Sequence, residues 1–118
     1  MKKILITEDE ELLSQVYKDS LEKEGYEVII TPDGTTALNY LEKTKVDLAI
    51  MDVKLPDMSG LKLLEEARKK YPDLPIIMCS AYDAFRLDYE VWASKVSDYI
   101  VKPVVLEELK TKIKKILK

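Results

Sequence analysis

The sequence contains no histidine, which removes the commonest acid/base group at neutral pH, any imidazole metal site and any phosphohistidine within this chain. Its single cysteine, Cys79, lies in an apolar run, has no partner for an intrachain disulfide and reads as a small buried hydrophobe of a reducing compartment. Three glycines and five prolines are too few for collagen-like or low-complexity sequence, and an apolar fraction of 47% is too high for a disordered chain. No uninterrupted apolar run approaches the ~20 residues of a spanning helix. The opening Met1-Lys2-Lys3-Ile4-Leu5-Ile6 meets acid at Glu8 before a signal-peptide core develops. A cytoplasmic chain with no membrane segment is expected. Excess basic charge is missing too: 19 Lys and Arg against 22 Asp and Glu give a formal net charge of −3, which disfavours direct nucleic-acid binding.

The 118 residues that remain are one domain's worth of material. A chain of this size buries roughly two-thirds of its unfolded surface and needs neither disulfide nor metal to fold. No repeat, linker or charge block divides it, so residues 1–118 read as one unit. Short β-rich runs occur at Lys3 to Thr7, Val28 to Thr31, Val46 to Met51, Pro75 to Ser80 and Tyr99 to Val101. Between them lie helical patterns. The first carries Leu12, Leu13, Val16, Tyr17, Ser20 and Leu21, with Gly25 as its stop, and the second carries Ala37, Leu38 and Leu41 after the turn Thr31-Pro32-Asp33-Gly34. A third opens at Ser59-Gly60 and stops at Pro72. The last holds Leu106, Leu109, Ile113 and Ile116 on one stripe, with Glu107 and Glu108 early and lysines late, as the helix dipole favours. Alternating strands and helices predict an α/β fold: right-handed crossovers and a parallel sheet covered on both faces.

In such sheets function sits beyond the carboxyl ends of the strands. The first strand ends in Thr7-Glu8-Asp9-Glu10, the third in Met51-Asp52, the fourth in Cys79-Ser80-Ala81 and the fifth in Val101-Lys102-Pro103. If strands one and three are neighbours, Glu8, Asp9 and Asp52 share a crevice, and two carboxylates about 4 Å apart repel by ~4 kcal/mol at an effective dielectric of about 20. Such a cluster calls for a cation. Oxygen ligands alone, few in number and leaving room for water and phosphate oxygens, favour a weak Mg²⁺ site over Ca²⁺. For Asp9 taken singly, capping of the following helix is an equal reading.

These motifs together resemble a response-regulator receiver domain: Glu8-Asp9, then Asp52-Val53-Lys54-Leu55-Pro56-Asp57-Met58-Ser59-Gly60, then Ser80-Ala81, then Lys102-Pro103, in order across essentially the whole chain. The resemblance implies a single-domain, doubly wound, flavodoxin-like (βα)5 sandwich with strand order 2-1-3-4-5. It implies that Asp52 accepts a phosphoryl group from a histidine kinase's phosphohistidine. Asp9 becomes a direct Mg²⁺ ligand, Glu8 acts through metal-bound water, and the Lys54 backbone carbonyl completes the protein ligands. Lys102 neutralises phosphoryl charge, as carboxylate attack on phosphorus requires, and a cis peptide is implied before Pro103. Ser80 and Tyr99 become the moving parts of a two-state switch, although either could be an ordinary strand-end residue. Pro56 and Gly60 would shape the loop after Asp52, Gly60 through backbone freedom. Positions two beyond Asp52 and Ser80, here Lys54 and Tyr82, would tune slow loss of the phosphoryl group.

In the segment before the fifth strand, Phe85, Tyr89 and Trp92 form one helical stripe while Leu87, Val91 and Ser94 form another. By the same resemblance the aromatic stripe faces outward beside the fifth strand and last helix. There it would serve a downstream protein, an output domain or a phosphorylation-dependent dimer; a rotated helix that buries the aromatics is the competing arrangement. One departure from the family stands out: Lys95-Val96-Ser97-Asp98-Tyr99 replaces a usual Gly-Ala-Asp-Asp-Tyr, so this helix must end without its glycine. Two other functions compete. A flavin- or nucleotide-binding protein of the same topology needs a neutral, glycine- or hydroxyl-rich loop after strand one, where this chain has three acids. An unphosphorylated pseudo-receiver, serving as an interaction module, usually lacks the acceptor or the lysine, and both are here.

Overall fold

The computed structural model describes residues 1–81 and 96–118. Within them lie five strands and four helices, in the order β1 (Lys3–Thr7), α1 (Glu11–Lys23), β2 (Glu27–Thr31), α2 (Gly34–Lys43), β3 (Leu48–Asp52), α3 (Gly60–Lys70), β4 (Ile76–Ser80), β5 (Asp98–Val101) and α4 (Leu106–Leu117). The strands form one parallel sheet in the order β2-β1-β3-β4-β5. The aromatic stripe of Phe85, Tyr89 and Trp92, with Tyr82, Leu87, Val91, Ser94 and Lys95, lies outside the described residues.

Alternation along each strand builds two cores. Leu5, Ala49, Met51 and Met78 point to the face covered by Ala37 and Leu41 of α2 and by Leu63, Leu64 and Ala67 of α3. Ile4, Ile6, Ile50, Ile77 and Ile100 point to the other face, covered by Tyr17 and Leu21 of α1 and by Leu109 and Ile113 of α4. Because both faces are covered, β3 and β4 are buried at every position and read as unbroken apolar runs until Asp52 and Ser80.

Strand boundaries differ from the sequence reading by one or two residues, β5 among them, which starts at Asp98 rather than Tyr99. β3 starts at Leu48 rather than Val46 and runs through Asp52, β4 starts after Pro75, and β2 starts one residue earlier, at Glu27. The stripe predicted for α1 is also narrower than the spacing suggested: Ser14, Tyr17 and Leu21 are buried, whereas Leu12 and Val16 remain 86% and 48% exposed. The helix turns its Ser14–Tyr17–Leu21 line to the sheet, and an i, i+4 pair one residue off that line faces water. Gly25 ends α1 as expected, with φ of +93° and its N–H donating to the Glu22 carbonyl.

Candidate functional site

The order β2-β1-β3 reverses the direction of winding at β1, opening a crevice beyond the carboxyl ends of β1 and β3. The sheet ladder continues one step past the strands and so fixes the residues at this rim. Glu8 N–H donates to the Thr31 carbonyl at 3.0 Å, Val53 N–H to the Cys79 carbonyl at 3.0 Å, and Lys102 N–H to the Ser80 carbonyl at 2.7 Å. The Lys102–Pro103 peptide is cis, as the resemblance implied.

Lys102 binds two of the acids directly. Its ammonium lies 2.8 Å from Glu8 Oε1 and 2.7 Å from Asp52 Oδ2. The remaining oxygens are held by backbone: Lys54 N–H donates to Asp52 Oδ1 at 3.2 Å and Glu10 N–H to Glu8 Oε2 at 3.2 Å. Both carboxylates are nearly buried, whereas Asp9 is exposed and makes no hydrogen bond or ion pair to a described residue. One carboxylate oxygen from each of Glu8, Asp9 and Asp52 lies within 4.8 Å of the others, so the three could hold a metal ion. Asp9 does not cap α1, whose N-cap is Glu10 with no side-chain hydrogen bond. Of the two readings open for Asp9, the structure removes the capping one.

The electrostatics follow from burial. Desolvation raises the Glu8 pKa against the opposing pull of Lys102 and the Glu10 N–H. Burial works against the Lys102 ammonium, but its hydrogen bonds to Asp52 and Glu8 and the attraction of both carboxylates outweigh it, so its pKa is raised. Lys102 therefore stays charged across the physiological range. Three carboxylates against one ammonium leave a formal surplus of two negative charges at the rim, the complement of a divalent cation. The chemistry of the donor set, oxygen throughout with no sulfur or imidazole, suits a hard ion.

Asp9, Asp52, Lys54, Ser80 and Lys102 line a cleft of about 400 Å³, together with Glu10, Leu55, Pro56 and Ala81. Glu8 stands behind them, buried. Tyr99 is not part of this lining: it is 3% exposed and packs with the core on the α2–α3 side. The structure corrects the reading of Gly60. Its φ lies outside the left-handed region, and the position requires glycine because a Cβ there would overlap the Asp52 carbonyl and the Val53 Cα. Close approach of backbone, rather than conformational freedom, fixes the residue. The role of Asp57 is not legible in the sequence: its partners lie more than twenty residues away, at the start of α2, where no local pattern points.

The chain belongs to the response regulator receiver domain family, whose profile matches residues 4–114. Among its relatives, the two-component response regulator PhoP of Pseudomonas aeruginosa is 35% identical over 116 residues, covering 98% of this chain and 52% of that protein. The chain spans about half the length of the curated relatives it matches. Two crystal structures involving the response regulator TrrA of Thermotoga maritima are similar at 39% identity. TrrA in complex with Mg²⁺ and BeF has a TM-score of 0.92, covering 99% of this chain and 100% of that one. The histidine kinase ThkA in complex with TrrA has a TM-score of 0.91, with 100% of both chains covered. A receiver domain of two-component response regulators is a signalling module, and a regulatory phosphoacceptor fits this fold and site.

Proposed function

We propose that residues 1–118 act as one Mg²⁺-dependent receiver in which Asp52 accepts a phosphoryl group from a histidine kinase's phosphohistidine. The observation that carries this reading is the Lys102 ammonium held between the buried Glu8 and Asp52, with the Asp9 carboxylate uncommitted beside them. Asp9 and Asp52 would hold the ion, with the Lys54 carbonyl, and Glu8 would act through bound water. When bound, Mg²⁺ supplies neutralisation of charge on the phosphoryl oxygens.

The chain's own residues supply the rest. Asp52, oriented by Lys102 at one oxygen and by Lys54 N–H at the other, attacks phosphorus; the new O–P bond forms as the P–N bond to the donor imidazole breaks. Lys102, already touching the acceptor, follows the negative charge that arrives with the phosphoryl oxygens. Ser80, on the same cleft, donates to one of those oxygens and draws its loop inward, and Tyr99 repacks as that space opens. With these groups the chain would promote its own phosphorylation and a slow hydrolysis of the acyl phosphate. The signal passes to a downstream protein or output domain through the surface beside β5 and α4, with a phosphorylation-dependent dimer as a further form.

Acetyl phosphate with Mg²⁺, followed by intact mass, tests the assignment. Wild-type protein is expected to gain the mass of one phosphoryl group, and Asp52→Asn to gain none. Equal labelling of both would remove Asp52 from the role.

A further inference from the structure

The loop from Val53 to Ser59 carries Lys54, whose N–H orients Asp52, and Leu55 and Pro56, which wall the cleft. Its far side is tied to a helix that contributes nothing to the cleft. Asp57 Oδ1 accepts from Gly34 N–H at 2.9 Å, and Asp57 Oδ2 accepts from Thr35 N–H at 2.9 Å and from the Thr35 hydroxyl at 2.6 Å. Next to it, Met58 lies so close to Gly34 that a Cβ there would come within 2.5 Å of the Met58 sulfur. At its near side the loop closes on itself through the Lys54–Ser59 bridge and the Gly60 N–H to Val53 carbonyl bond. The helix end has its own cap: Asp33 Oδ1 accepts from Thr36 N–H at 2.8 Å. Asp57 is thus a second acid on the first turn of α2, supplied by the loop between β3 and α3.

We infer that Asp57 is a positioning residue for the acid site: by fastening the loop to α2 it sets where the Lys54 backbone and the Pro56 wall stand relative to Asp52. This rests on the Mg²⁺-dependent receiver reading above. Three donors on one exposed carboxylate make a stiff joint, and a rim group held by a joint of this kind loses its aim when the joint is cut. The first turn of α2 carries positive partial charge, which adds to the hold. The Asp57 carboxyl is lowered to about 2, foremost by the Thr35 hydroxyl and then by the two N–H donors, so the joint stays charged at neutral pH.

The test separates fastening from mere helix stability. Asp57→Ala cuts the joint, whereas Asp33→Ala removes a cap from the same turn and leaves the joint whole. Each variant is titrated with Mg²⁺ well below its own melting temperature, following the amide NMR shifts of Asp9 and Lys54, and is labelled with acetyl phosphate. Asp57→Ala is expected to weaken Mg²⁺ binding by about tenfold and to slow labelling in step, while Asp33→Ala binds Mg²⁺ as wild type does. Should Asp57→Ala fail to fold, Asp57→Asn, which keeps one acceptor oxygen, is expected to fall between it and wild type. Wild-type affinity in the Asp57 variant that folds, or equal loss in Asp33→Ala, overturns the inference while leaving the receiver reading in place. A wild-type protein that takes up no Mg²⁺ overturns both.

Discussion

Among the described residues, Tyr17 carries the one buried side-chain oxygen or nitrogen without a hydrogen-bond partner. The residue is 4% exposed. Burial raises its pKa, with the neighbouring Cys79 and the site carboxylates adding to the effect, so it is a neutral phenol throughout. A buried donor left unsatisfied costs about 1–3 kcal/mol. Tyr17→Phe is accordingly expected to leave stability unchanged or to raise it by up to about 1 kcal/mol in urea unfolding; a loss above about 1 kcal/mol would show that the hydroxyl is bonded in solution. Cys79, also buried on this face, is pushed up to about 12 by burial and is an inert thiol. Asp57 gives the clearest dependence on pH. Its folded-state pKa of about 2 lies below the unfolded 3.8, so its contribution is complete above the unfolded value and is lost as pH falls through the folded one. Asp57→Asn is expected to flatten the fall of stability between about pH 4 and pH 2, measured by urea unfolding across that window; an unchanged slope would mean the carboxylate is not held. At this scale the acids and the lysine were legible because their positions follow apolar runs, while Tyr17 was not: its spacing marks a core residue and says nothing of what its hydroxyl meets.

Among the elements, α3 shows how the sequence and the site share one constraint. Ser59 caps it, accepting from Lys62 N–H at 3.1 Å, and the next residue, Gly60, presses its backbone onto Asp52 and Val53. The helix therefore starts as near to the acceptor strand as backbone permits. At its other end Arg68 reaches past the last turn to the carbonyls of Tyr71, Pro72 and Leu74, closing the passage into β4. Gly60→Ala is expected to cost about 1–3 kcal/mol through overpacking, read as a drop in melting temperature, and to move the Asp52 carbonyl as well. A variant of wild-type stability would refute the close approach. The turn before α2, the start of α3 at Ser59-Gly60 and the stops at Gly25 and Pro72 were readable from turn and breaking residues, while the capping role of Asp33 came with the structure. The exposed half of α1 was not, since Leu12 and Val16 satisfy the same spacing as the buried line.

For the whole molecule, local pattern yields alternating strands and helices but no strand order; that came from the family resemblance, and the observed 2-1-3-4-5 sheet agrees with it. The order matters because it alone makes β1 and β3 neighbours, and only then do Glu8, Asp9 and Asp52 meet. Among the described residues no helix is long and apolar enough to cross a membrane. On the function proposed above, this meeting of acids binds a dication beside a carboxylate that takes up phosphorus. Crystals grown with Mn²⁺ and beryllofluoride test it most directly. The expected result is an anomalous peak bounded by Asp9, Asp52 and the Lys54 carbonyl, with the beryllium bonded to Asp52. A cleft without that peak, or beryllium on any other residue, would contradict it.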